Sequence, residues 1–389
     1  MRRWPLARAV WLVPLLWPLT RLAAQEPGTF QALDGALVAM MREDSVVGGA
    51  AVLVRDGKII AHAEHGYSDR AAGTALRSDA IFHWGSVTKT LTAVAIMQLR
   101  DRGLLSLDDP ITKWVPELRQ VHNPFGSMDG ITLRMLLSHS SGFQNPTWPY
   151  RKYLTWEPFE PTRWEQLLAM MPYQEILFTP GSRFGYSNPA FIYLARVIEA
   201  VTGDPYQSYI YKNIWLPLGM SRSYFGTTPY HLAQFRSNNY TLVTDSSGAE
   251  HVADNGRDFD PGITIPNGGW NAPMADLATW ASFLSGAPGL PTLLSRKSLT
   301  EMWTPVVPVG TIGDWQESMG LSFFVLEHAG KKLIGHTGEQ AGFRSFVFLN
   351  PLTRTAVIVC VNTTNDVRPQ ASDQTFQRVL EAGARLLAP

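Results

Sequence analysis

Strand-forming runs in this chain gather towards its two ends. Near the start, 52–55 and 58–64 flank Asp56-Gly57, the dipeptide that best closes a tight hairpin. In the last third, 321–326, 332–335, 344–349 and 356–361 are short β-branched or aromatic runs separated by turns, the pattern of an antiparallel meander. The interval between reads as helices, loops and many aromatics. At 389 residues the chain is too long for one simple core and suggests two packed parts.

The first residues carry Arg2, Arg3 and Arg8, then an apolar run over 9–19, then Leu22-Ala23-Ala24. A charged head, an apolar middle and a small-residue end make residues 1–24 a signal peptide, too short to span a membrane comfortably. Cleavage is expected after Ala24, and a secreted or periplasmic location follows; retention as an anchor is the alternative. Acids and bases balance at 33 each, with no basic stripe, which argues against nucleic acid as partner. The single cysteine, Cys360, sits in an apolar run and reads as a buried strand residue, so no internal disulfide is available.

An amphipathic helix is expected over 30–42, where Leu33, Leu37, Met40 and Met41 recur at helical spacing. Further helices are expected at 90–99, 131–138, 191–201, from Met274 to near Leu284, and over 375–387. The stretch 238–260 reads as a polar connection. Aromatics from Trp148 to Trp164 pack a helical part, and some suit a cleft wall.

Within Phe82-His83-Trp84-Gly85-Ser86-Val87-Thr88-Lys89, a helix beginning at Ser86 would put Ser86 and Lys89 on one face. A serine hydroxyl needs such a neighbour to become a nucleophile, although Ser86 also suits an ordinary helix cap. Tyr186 and Asn188 precede a helix with Pro189 in its first turn, and Gly335-His336-Thr337-Gly338-Glu339 lies between two strands. His62 and His65 fall on opposite faces of a strand, a poor arrangement for one metal. His83 reads as packing, His139 as bonding backbone in the turn after its helix, and Arg344 as a surface residue. No cofactor or metal is expected. No G-x-S-x-G elbow occurs, which argues against a Ser-His-Asp hydrolase on another fold.

Ser86-x-x-Lys89, Tyr186-x-Asn188 and His336-Thr337-Gly338, in that order, resemble the serine β-lactamase and penicillin-binding-protein superfamily, in its class C-like branch of esterases and D-alanyl-D-alanine carboxypeptidases. Leu136-Leu137-Ser138-His139-Ser140-Ser141-Gly142 and the Gly-Gly before the helix carrying Asp276 extend the likeness over nearly the whole mature chain. The resemblance implies an α+β, β-lactamase/transpeptidase-like fold: an antiparallel sheet from both chain ends, flanked by helices, with an inserted mainly helical domain. Residues 25–100 and 260–389 would form the sheet part and 101–259 the insertion.

It also implies roles. Ser86 would be acylated and later released by water, with Lys89 and Tyr186 sharing the base work, Tyr186 as a phenolate favoured by the lysine ammonium. Asn188 would hold Lys89 and a substrate amide. The backbone N–H groups of Ser86 and Glu339 would face the oxyanion, and His336, Thr337, Gly338 and Glu339 would line the substrate. The expected substrates are small esters or D-amino-acid peptides, including peptidoglycan-derived ones. A β-lactamase is disfavoured, because many carry lysine where His336 stands, whereas a histidine is only partly charged at neutral pH. Glu339, where the family often has glycine, would crowd the oxyanion strand or repel anions. A non-catalytic homologue that binds peptidoglycan or a partner is the competing reading.

Overall fold

The computed structural model describes residues 28–143, 145 and 161–388. The signal-peptide reading of 1–24, and Trp148, Tyr150, Tyr153, Trp156 and Phe159, lie outside them. Among the described residues, the centre of the molecule is a nine-stranded antiparallel sheet. Its order runs from Thr74–Ala75 through Lys58–Asp69 and Gly48–Arg55 to Thr355–Val361, Phe343–Asn350, Lys331–Gln340, Phe324–His328, Trp315–Met319 and Val307–Ile312. The two chain ends meet in mid-sheet, where Val52 pairs with Ile358 and Ala50 with Cys360.

Turn chemistry explains the sheet's tight hairpins, as two of them show. Asp56 and Gly57 have φ of 48° and 84°, and Ala341 and Gly342 have φ of 47° and 80°. Two successive positive values match the twist of paired strands. The second hairpin sets Glu339 opposite Arg344.

Both faces of the sheet are covered, so its central strands are apolar throughout rather than alternating. Ala51, Leu53, Val357 and Val359 meet one helical layer, made by Phe30–Glu43 and Pro369–Leu387. Ala50, Val52, Ile358 and Cys360 face the other way, towards Leu91, Val94 and Leu277 of the helices Thr88–Asp101 and Met274–Ser285. Thr29 starts the first helix by accepting a hydrogen bond from the Ala32 N–H, and Leu33, Leu37 and Met40 bury its inner stripe.

Thr88–Asp101 is enclosed on all sides, every residue from 88 to 99 being buried. Its hydroxyls are satisfied, two of them locally: Thr88 donates to the Gly85 carbonyl at 2.6 Å and Thr90 to Val87 at 2.7 Å, whereas Thr92 donates to the distant Pro266 carbonyl at 2.7 Å. Asn188–Thr202 and Leu133–Leu137 belong to the same core.

Three expectations are corrected. The 238–260 stretch is not a plain connection but holds a hairpin, Tyr240–Thr244 with Glu250–Asp254, because Tyr240 and Leu242 alternate inward among polar residues. Leu321 to Phe323 do not belong to the strand expected at 321–326, which starts at Phe324; Ser322 turns there at φ 66°. Two strands, Val307–Ile312 and Trp315–Met319, were not anticipated at the sheet's edge, where polar residues interrupt the apolar pattern.

Candidate active site

Ser86 lies in a single 3-10 turn, Gly85–Val87, and the α-helix proper begins at Thr88. Neither helix start carries a side-chain cap, so Ser86 is not serving as one. Its Oγ is hydrogen-bonded to Lys89 Nζ at 2.9 Å instead. Nζ also donates to Asn188 Oδ1 at 2.7 Å and to the Asn267 carbonyl at 2.8 Å. Lys89 is completely buried.

Tyr186 and Asn188 reach this point from the far side of the cleft. Ser187 caps the Asn188–Thr202 helix by accepting from the Ala190 N–H, which fixes both flanking residues at the helix start. The Tyr186 hydroxyl lies near enough to Ser86 to feel its hydroxyl, and Lys89 Nζ sits 4.9 Å from the centre of its ring. Hydroxyl, amine and phenol therefore meet.

The third segment, His336-Thr337-Gly338-Glu339, is part of the strand Lys331–Gln340 rather than a link between strands. That strand presses on the nucleophile turn. A Cβ on Gly338 would stand 2.0 Å from the Trp84 carbonyl oxygen, and one on Gly85, at φ 50°, would stand 2.8 Å from the Glu339 nitrogen. Only glycine fits at either place, and the contact brings the Glu339 backbone beside Ser86.

Burial governs the charges. It pushes the Lys89 amine well below the usual lysine range and the Tyr186 phenol above the usual tyrosine range, the nearby Ser86 hydroxyl opposing the latter only in part. Both shifts run against the expected phenolate beside an ammonium and favour the neutral amine and the neutral phenol. His336 is likewise neutral rather than partly charged: burial and the adjacent Lys89 push it down to about 3. Its Nδ1 bonds the Thr337 carbonyl.

Ser86, Tyr186, Asn188, Thr337, Gly338 and Glu339 line a cleft of about 460 Å³. The opposite wall comes from Ile312 and from Asp373, Phe376, Gln377 and Leu380 of the C-terminal helix. Arg344 also lines it and is not a plain surface residue: it pairs with Glu339 at 3.2 Å and Asp373 at 2.6 Å and stacks on Phe376. The exposed Glu339 side chain turns onto Arg344. The hairpin Glu339-Gln340-Ala341-Gly342-Phe343-Arg344 carried the signal for this pair, since a two-residue turn sets its outer positions opposite one another. The Asn267 carbonyl, by contrast, had no signal, because a backbone acceptor leaves no mark on residue type.

The other histidines are structural or supporting. His83 is buried and bonded to Asn271 and Gln340. His65 pairs with Asp34 and His62 with Glu64. His139 does bond backbone, but its partner is the Ser187 N–H, far along the chain. Asp276 accepts from the Ser223 hydroxyl and the Arg222 N–H, tying down its helix. Among the described residues no group of His, Cys, Asp and Glu gathers as a metal-ligand set, and no helix is long and apolar enough to cross a membrane.

A sequence model of the family described as Beta-lactamase matches residues 33–382. The chain belongs to that family. It is 31% identical over 259 residues to "Esterase EstB" of Burkholderia gladioli, which covers 61% of this chain and 64% of that protein. The "Protein flp" sequences of Staphylococcus aureus are 24% identical over 87% of this chain, which again spans 64% of their length. Among solved structures, the octameric penicillin-binding protein homologue from Pyrococcus abyssi superposes with a TM-score of 0.72 at 29% identity, over 86% of this chain and 73% of that one. A D-stereospecific amidohydrolase from Streptomyces sp. gives 0.69 at 26%, over 91% and 98%. The family's β-lactamase/transpeptidase-like fold is the fold described above.

Proposed function

We propose that this protein is an exported serine hydrolase that acts through an acyl-enzyme on small neutral esters or amides, including amides of D-amino acids. The observation that carries this is the wholly buried Lys89 amine, bonded to Ser86 Oγ and to two carbonyl oxygens. Two N–H groups of a neutral amine satisfy Asn188 and Asn267, and the lone pair is left for the Ser86 hydroxyl proton. Lys89 is then the base in acylation. Ser86 Oγ bonds to the substrate carbonyl carbon as its proton passes to Nζ, and the negative oxygen formed is met by the N–H groups of Ser86 and Glu339. Tyr186, a neutral phenol beside Ser86, gives its proton to the leaving group as the carbonyl re-forms and regains one from Nζ. Water then attacks the acyl carbon, Ser86 regains its proton, and the acid departs.

Two features favour neutral over anionic substrates. His336 offers no cation where a carboxylate would bind, and Arg344 is already shared by Glu339 and Asp373. An esterase and a D-stereospecific amidohydrolase among the similar proteins support this substrate class. Export is read from the Arg-led apolar leader and its small-residue end.

A fluorophosphonate probe should label Ser86 stoichiometrically. A panel of p-nitrophenyl esters, D-amino-acid amides, D-alanyl dipeptides and a chromogenic cephalosporin should show many turnovers on the first two classes and few on the last. Lys89→Met should cut the labelling rate at least hundredfold in a folded protein. A single equivalent of product from every substrate would mean a binding homologue rather than an enzyme.

A further inference from the structure

His139 stands outside the group that touches Ser86, yet it is bound to both neighbours of Tyr186. The Ser187 N–H donates to His139 Nδ1 at 3.0 Å, and the Gly185 N–H donates to the His139 carbonyl at 2.8 Å. Between those two bonds the His139 ring stacks on the Tyr186 ring, with centroids 4.3 Å apart and planes at 23°. The backbone of His139 is at φ 52°, a region that residues other than glycine and asparagine enter at a cost. That conformation aims the carbonyl and the ring at the same tripeptide.

The turn that carries His139 is itself fixed on two sides. Its N–H bonds the Leu136 carbonyl, and the Leu137 carbonyl accepts from the Ser322 N–H on the sheet side of the molecule. Phe184 and Phe191 close around the imidazole, with ring centroids 6.0 and 5.1 Å away, so it is fully buried and has little room to rotate. An acceptor at Nδ1 also sets the tautomer, placing the ring proton on Nε2.

We propose that His139 is the positioning residue for Tyr186, holding the phenol hydroxyl at Ser86 through ring stacking and a two-bond clamp on residues 185 and 187. This rests on the proton-relay role given to Tyr186 above. A phenol that must pass a proton to the leaving group beside Ser86 has to be held within a few tenths of an ångström. Tyr186 precedes its helix and has no helical hydrogen bonds of its own to provide that.

The test uses His139→Asn, which keeps an acceptor for Ser187 and tolerates positive φ, and His139→Gly, which tolerates it best. Each is made alone and with Tyr186→Phe, and assayed on a p-nitrophenyl ester. Stoichiometric fluorophosphonate labelling of Ser86 serves as the check of fold. In the parent background kcat should fall at least fivefold with KM changed less than twofold, more for Gly than for Asn. With Tyr186→Phe present, the same substitutions should lower kcat less than threefold, because the group they position is already gone. A smaller loss in the parent background, or threefold or more in the Tyr186→Phe background, would overturn the positioning role. Parent-like turnover of Tyr186→Phe alone would overturn the reading of Tyr186 instead.

Discussion

Lys89 exchanges water for three oxygen partners and no carboxylate, and that choice of partners determines what the residue can do. A carboxylate neighbour would hold the amine as an ammonium; carbonyl and hydroxyl oxygens do not compensate its desolvation, so the neutral base is favoured. The pairing with Ser86 is legible from a spacing of three, because one turn of helix brings those positions together. The charge state is not legible, since it depends on how completely distant segments exclude water. Glu339 illustrates the same division. Its residue type signals an effect on anionic substrates and the two-residue turn signals its pairing with Arg344, but only the fold shows that pair in the cleft wall with Asp373 beside it. Glu339→Gln should therefore leave Arg344 with Asp373 as its one carboxylate partner and remove one negative charge, raising the cephalosporin-to-neutral-ester ratio of kcat/KM by several-fold, on the order of 1 kcal/mol at low salt. An unchanged ratio would show that Glu339, Arg344 and Asp373 do not face the substrate.

The contact between the Lys331–Gln340 strand and the Gly85–Val87 turn is the closest approach that shapes the site. With 2.0 Å available between a Cβ at 338 and the Trp84 carbonyl, Gly338→Ala must push strand and turn apart. The variant should lose about 2–3 kcal/mol of stability and roughly a hundredfold in kcat, since an ångström of misplacement is enough for that. Thermal melting and ester turnover check both, and a wild-type melt with full turnover would contradict the geometry. Strands and helices near the site are readable where apolar periodicity is strong, as at 344–349 and 356–361. Val307–Ile312 and Trp315–Met319 escape such a reading because polar and glycine residues break the alternation, and the sheet supplies the pairing that local preference does not.

Across the whole molecule, buried neutral imidazoles make stability depend on pH. His83 and His336 are pushed down to about 4 and about 3 by burial, while in the unfolded chain they would titrate near 6.5. Below that value the unfolded state takes up protons that the folded state refuses, so stability is complete above about 6.5 and falls as the pH drops. By pH 5 each of the two should have removed on the order of 2 kcal/mol. Urea midpoints measured from pH 7.5 to pH 5 should decline steadily, and a flat series would mean that the rings are hydrated. At this scale the strand-rich ends and helical middle are visible in the sequence, and the small hairpin at 240–254 is hidden only by its polarity. The seam where Gly48–Arg55 lies against Thr355–Val361 has its own consequence. A ribosome must pass Val361 before this pairing is complete, so a nascent polypeptide carries its first hairpin without the central ladder until then, open to chaperones, and any earlier stop leaves that hairpin without its neighbour.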